Sequence, residues 1–165
     1  MIKIAITGPE CSGKSTLAMF LGKKLGVNWI PEYARSYIDL LNRPYNQEDL
    51  DIIARKQQMM IDGAKKSSIK YLIVDTEMLV LKIWSQEKFG EVSLDIESFY
   101  GEQDFDLIVL CKPDIPFEED KQRENPADRD RLFEIYLADL ENSGRKYITV
   151  SGSILERIDL ILDSI

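Results

Sequence analysis

Short apolar runs alternate along this chain with stretches whose apolar positions recur every three to four residues. Ile2–Thr7, Tyr71–Asp75, Leu107–Cys111 and Tyr147–Val150 are apolar through most of their length. Runs of this kind predict strands buried on both faces. A briefer run, residues 27–30, is closed by Pro31 and predicts a further strand. Between the strands the period changes. Leu17, Ala18, Leu21 and Leu25 fall at helical spacing within Lys14–Leu25, and Gly26 supplies a stop. Helices are also predicted over residues 32–41 and 94–100, and from the end of the third strand to about Lys88.

Three helix starts carry chemical signals. Asn46 can cap a long helix to about Lys66, whose first turn holds Glu48, Asp49 and Asp51, as the helix dipole favours. Asn125-Pro126 reads as a cap followed by proline at the first helical position, for a helix that ends near Asn142 before Gly144. Ser153 and Glu156 form a capping-box pair, followed by an apolar face of Ile154, Leu155, Ile158, Ile161, Leu162 and Ile165. Strands separated by helices imply parallel pairing with both sheet faces covered. The expected fold is a three-layer α/β sandwich of about five parallel strands in a single domain, residues 1–165. Its ligand site is expected beyond the carboxyl ends of the strands.

One glycine-rich segment sharpens this. Gly8-Pro9-Glu10-Cys11-Ser12-Gly13-Lys14-Ser15 follows the first strand, opens the first helix and has the Walker A spacing. In such a loop successive backbone N–H groups and the helix N-terminus cradle phosphates. The lysine, here Lys14, reaches the β- and γ-phosphates, and the hydroxyl, here Ser15, ligates Mg²⁺. Residues 8–16, ending at Thr16, are therefore the expected ATP site. Asp75 ends an apolar strand, where a Walker B aspartate would hold Mg²⁺ near Ser15. Glu77, two residues on, is expected to face the same cleft. Glu10 is expected to point out of the loop toward a second substrate, because backbone groups and Lys14 do the phosphate binding. Cys11 reads as a small residue near a helix N-terminus.

Charge and composition narrow the partners. The 165 residues hold 21 Lys plus Arg against 29 Asp plus Glu, a net charge of −8. This balance argues against a broad nucleic-acid surface while leaving room for a local anion pocket. With no histidine, a His general base, a His metal site and a Ser-His triad are excluded for this chain. Two cysteines 100 residues apart make no disulfide framework, and no apolar run approaches a membrane span. The first residues read as a strand and not a leader, so the cytoplasm is the expected compartment. Oligomeric state is not legible.

The length and the missing Asn-Lys-x-Asp and Leu-Ser-Gly-Gly-Gln motifs leave a compact small-molecule kinase, which needs an acceptor pocket and a lid. Glu32, Tyr33 and Arg35 offer an acid, an aromatic face and a cation after the second strand. Packing between Tyr33 and Tyr37, and a solvated Glu32–Arg35 pair, are the plainer readings. The lid is expected within residues 112–131, with Arg123 as the favoured cation, then Arg129 and Arg131. With no histidine available, a catalytic base must be Asp75, Glu32, Glu77 or Glu10, with Asp75 or Glu32 favoured.

GPECSGKS (8–15), EYARSY (32–37), VDTE (74–77) and IPFEEDKQRENPADRDR (115–131) together resemble the ribosylnicotinamide kinase domain of the NadR family and its stand-alone AAA-type relatives. The resemblance implies a P-loop kinase transferring phosphate from ATP to the 5′-hydroxyl of nicotinamide riboside. It further implies that residues 8–16 bind ATP and that Ser15 and Asp75 manage Mg²⁺. Glu32, Tyr33 and Arg35 would shape the riboside site, with Arg123 acting from the lid. Cys11 and Glu77 depart from the family's usual Ser and Asp. Alternatives are a kinase of another nucleoside or small alcohol, and an ATP-binding regulatory module.

Overall fold

A computed structural model describes residues 1–116 and 128–165. Five strands, β1 (Ile2–Thr7), β2 (Trp29–Ile30), β3 (Tyr71–Asp75), β4 (Leu107–Cys111) and β5 (Tyr147–Val150), form one sheet in the order β2-β3-β1-β4-β5. Every pairing is parallel. In register, Ile6 lies beside Asp75, which brings the end of β3 against the start of the glycine loop.

Period-two alternation sends successive side chains to opposite faces of the sheet. Ile4, Ile6, Leu107, Val109 and Cys111 pack with Leu17, Ala18 and Leu21 of α1 (Lys14–Leu25) and with Ile158 and Ile161 of α7 (Ile154–Ser164). Ala5, Ile108 and Leu110 pack on the other face, under α3 (Gln47–Lys65), α4 (Met78–Phe89), α5 (Leu94–Glu102) and α6 (Arg129–Ser143). Helix α2 (Tyr33–Leu40) joins this second layer through Ala34. The three-layer α/β fold with about five parallel strands is as expected.

Two boundaries shift for physical reasons. The second strand holds two residues, because the Val27 N–H closes the end of α1 on the Gly22 carbonyl and is not available to the sheet. Helix α2 begins at Tyr33, with Glu32 in extended conformation as its N-cap. The expected helix start at Asn125-Pro126 and the lid cation Arg123 lie outside the described residues, and α6 is described from Arg129. No helix among the described residues is long and apolar enough to cross a membrane.

Candidate active site

The carboxyl ends of β1, β2 and β3 open into a cavity of about 770 Å³. One wall is the glycine loop. Gly8 adopts φ +132°, and a Cβ there would sit 2.7 Å from the Cys111 carbonyl oxygen. Only glycine lets the loop lie this close to β4. Gly13, at φ +82°, turns the chain into α1 and leaves the first helical N–H groups facing the cavity. Within the loop, the Ser12 hydroxyl donates to the Pro9 carbonyl at 2.8 Å, and Lys14 Nζ donates to the Gly8 and Pro9 carbonyls at 2.9 and 2.7 Å.

Two arginines grip the loop from outside. Arg129 Nη1 donates to the Cys11 carbonyl at 3.1 Å and the Ile115 carbonyl at 3.0 Å. Arg157 is 1% exposed, and its Nη1 donates to the Ser12 carbonyl at 2.7 Å. Its other nitrogens reach the Gly152 carbonyl and the Asp114 carboxylate. Charged donors on two of its carbonyls fix the conformation of the loop. The apolar face predicted for α7 gives no hint of Arg157.

Asp75 and Glu32 line the cavity beside the loop. Asp75 is 2% exposed and accepts a hydrogen bond from Ser15. Burial raises its pKa above the usual carboxylate range, opposed by Ser15, Lys14 and Arg35. Burial also raises Glu32, opposed by Lys14 and reinforced by the neighbouring Asp75 charge. The Coulomb coupling places Lys14, Arg35, Glu32 and Asp75 in one electrostatic unit. Glu10, Cys11, Thr16 and Arg35 line the cavity with them. The charge of Glu10 is felt at the buried Tyr136 phenol of α6, together with Glu77 and Glu32, while burial does most to raise that phenol's pKa.

Two expected residues sit elsewhere. Tyr33 does not line the cavity: its ring packs 6.0 Å from that of Tyr37, against the core. Glu77 is fully buried away from the cavity, where its carboxylate accepts from the Leu79 N–H and caps α4. The reason lies one residue earlier. Thr76 has φ +72°, a left-handed turn that ends the strand alternation after Asp75 and reverses the direction of residue 77. Burial raises Glu77 to about 7. Of the lid candidates, Arg129 holds the loop as described, and Arg131 is exposed and paired with Asp128 and Glu87.

A further wall, unforeseen in the sequence, lines the cavity. Trp84 and Lys88 of α4 and Tyr136 of α6 face the cavity. The Trp84 indole N–H donates to the Tyr45 hydroxyl at 3.0 Å, and the two rings meet edge to face at 5.1 Å. The signal was present: Val80, Trp84 and Lys88 recur every four residues, the stripe one helix face presents.

A strand, a glycine loop and a helix that set Lys14 and Ser15 opposite Asp75 define a P-loop nucleotide-binding domain. The chain belongs to the AAA domain family, whose model matches residues 3–157. It is 27% identical over 155 residues to the trifunctional NAD biosynthesis/regulator protein NadR of Escherichia coli K12, covering 89% of this chain and 37% of that protein. Its counterpart from Salmonella typhimurium is 26% identical, with 96% of this chain and 41% of that protein covered. The chain therefore spans about two-fifths of these relatives' length. Among solved structures, NadR in complex with NR superposes with a TM-score of 0.78 at 18% identity, covering 99% of this chain and 49% of that one. Deoxyadenosine kinase from M. mycoides gives 0.71 at 18% identity, covering 98% and 97%. The fold is that of P-loop kinases.

Proposed function

We propose that this chain is an ATP-dependent small-molecule kinase that phosphorylates the 5′-hydroxyl of nicotinamide riboside to give nicotinamide mononucleotide. The observation that carries the reading is the pairing of two walls in one cavity. A phosphate-binding loop forms one, and the buried Asp75 and half-buried Glu32 with an indole and a phenol form the other. The choice of acceptor draws on the similarity to NadR, which has been solved with NR and with NAD and AMP-PNP.

Residues 8–16 would hold the ATP phosphates through backbone N–H groups, with Lys14 exchanging the Gly8 and Pro9 carbonyls for the γ-phosphate. A divalent cation fits beside Ser15 and Asp75, because Asp75 Oδ1 is buried without a hydrogen-bond partner among the described residues. Such a cation supplies charge neutralisation at the phosphates, and one carboxylate plus one hydroxyl leaves most of its positions to phosphate oxygens and water, as Mg²⁺ prefers.

In the transfer, a bond forms between the acceptor 5′-oxygen and the γ-phosphorus as the bond to the β–γ bridging oxygen breaks. The hydroxyl proton would pass to Glu32, whose pKa burial raises so that it accepts a proton better than an exposed carboxylate, or to Asp75 where that carboxylate is not engaged by the cation. Arg35 faces both and offsets their charge. Glu10 would hold an acceptor hydroxyl, and Trp84 with Tyr136 would border a flat ring. Arg123 remains the proposed lid cation.

The test incubates the protein with MgATP and nicotinamide riboside, deoxyadenosine or other nucleosides, and identifies products by mass. Nicotinamide mononucleotide plus ADP is expected. Transfer to another nucleoside alone would move the substrate assignment. ATP binding with transfer to none would favour a regulatory module. Asp75→Asn and Glu32→Gln are each expected to lower kcat at least a hundredfold; near-normal kcat in both would remove the carboxylates from the mechanism.

A further inference from the structure

Strand β2 pairs with β3 through two residues, Trp29 beside Ile73 and Ile30 beside Val74. Beyond Ile30 no sheet rung ties the chain that carries Glu32 to the chain that carries Asp75. A side chain occupies that gap. Gln57 lies on the buried face of α3, among Ile53, Ala54 and Ile61, and is 2% exposed. Its Oε1 accepts the Tyr33 N–H at 2.9 Å. That N–H belongs to the first turn of α2 and has no partner inside the helix. Gln57 Nε2 donates to the Pro31 carbonyl at 3.4 Å and to the Thr76 carbonyl at 3.3 Å.

The three bonds fall on the immediate neighbours of the two carboxylates. Pro31 and Tyr33 flank Glu32, and Thr76 follows Asp75. Thr76 is also a place where the backbone needs holding. A β-branched residue at φ +72° is strained, and its N–H is tied to the Ile6 carbonyl at 3.0 Å. Gln57 holds the other side of the same peptide turn. A glutamine is suited to this place: one planar amide offers an acceptor and two donors, so it bridges one N–H and two carbonyls that point into a buried layer. A hydrophobe of the same size would leave the Tyr33 N–H and two carbonyls unpaired.

We propose that Gln57 is a positioning residue of the site, whose side-chain amide bridges the β2–α2 and β3–α4 junctions and so fixes the spacing of Glu32 and Asp75 in the cavity. It rests on the reading of the cavity as a phosphoryl-transfer site. Gln57 does not line the cavity, and its effect passes through the backbone of residues 31–33 and 76. The phosphate loop is held by Arg129 and Arg157, neither of which bonds to Gln57.

The test compares Gln57→Met, which removes all three bonds at similar volume, with Gln57→Glu, which keeps an acceptor for the Tyr33 N–H. Amide hydrogen exchange and steady-state kinetics are measured on both. In Gln57→Met the Tyr33 amide is expected to lose protection, with unchanged protection in β1 and α1. Its kcat is expected to fall about tenfold to a hundredfold, as for a displacement near an ångström, with KM for MgATP within about twofold of wild type. Gln57→Glu is expected to retain Tyr33 protection and more of kcat. Unchanged Tyr33 protection in Gln57→Met, protection lost throughout the chain, or wild-type kcat would each overturn the proposal. If the wild-type protein phosphorylates no acceptor, the kinase reading fails by itself, while the Tyr33 exchange still decides whether Gln57 fixes the two junctions.

Discussion

Glu77 is a carboxyl group placed where a charge is poorly tolerated. It is fully buried, and its Oε1 has no partner among the described residues. Burial raises it from the ordinary glutamate value to about 7. The folded state thus binds a proton that the unfolded chain releases above its ordinary value of 4.5. The stability this group contributes is present below that value and is lost as pH rises toward 7. Glu77→Gln keeps an oxygen for the Leu79 N–H and removes the titration. The variant is expected to gain stability over wild type at pH 8 by on the order of 2 kcal/mol, and to differ little at pH 4.5. Denaturant melts at the two pH values check this, and an equal difference at both would count against it. Gly8 makes a second prediction. Gly8→Ala places a methyl 2.7 Å from a backbone carbonyl at a φ that alanine avoids, so ATP binding should be lost. Isothermal titration with a non-hydrolysable analogue reads it directly. The loop residues were legible in the sequence because their spacing is the geometry. Glu77 was not, because the left-handed Thr76 overturns the strand periodicity from which its direction was inferred.

At the scale of elements, helix α3 is tied to α2 and the loop between them at its N-terminus. Asn46 and Asp49 form a capping box, with the Asn46 side chain accepting from the Asp49 N–H at 3.1 Å and Asp49 accepting from the Asn46 N–H at 2.8 Å. The same buried carboxylate takes a two-pronged contact from Arg43, at 2.7 and 2.8 Å, and the Tyr37 hydroxyl at 2.8 Å. Asp49 therefore binds the end of α2, the following loop and α3 into one corner. Arg43 first, then the Asn46 N–H and Tyr37, hold its pKa below the usual carboxylate range. Its stabilising effect is present above the unfolded value of 3.8 and is lost as pH falls below it. Asn46→Ala is expected to lower stability by about 1 kcal/mol. Asp49→Ala is expected to lower it by about 2–3 kcal/mol, since it strips partners from three groups. The two effects should fall short of additive because they share the capping box, which a double-mutant cycle measures. The cap was legible from Asn46 and its acidic first turn. The Arg43 and Tyr37 contacts were not, because they depend on how the α2–α3 loop folds back.

At the scale of the molecule, two walls are built largely by different parts of the fold, with α6 serving both through Arg129 and Tyr136. Helices α1, α6 and α7 hold the phosphate loop, through Lys14, Arg129 and Arg157. Helices α2, α3 and α4 hold the opposite wall, through Glu32, Gln57 and Trp84. The alternation of apolar runs foretold both layers and the edge where they meet. It did not foretell the aromatic wall, since Trp84 and Tyr136 come to line the same cavity only after α4 and α6 have packed on the sheet. Separate construction implies separable binding. A ligand that binds the folded state alone stabilises it by about 2.7 kcal/mol at a hundredfold excess over its Kd. A non-hydrolysable ATP analogue with Mg²⁺ is expected to raise the melting temperature of wild type and of Glu32→Gln alike, and to have little effect on Lys14→Met. Nicotinamide riboside should show the converse: a shift retained in Lys14→Met and reduced in Glu32→Gln. Equal loss of both shifts in both variants would mean that the walls act as one unit, and the division of labour argued from the two sets of helices would have to be abandoned.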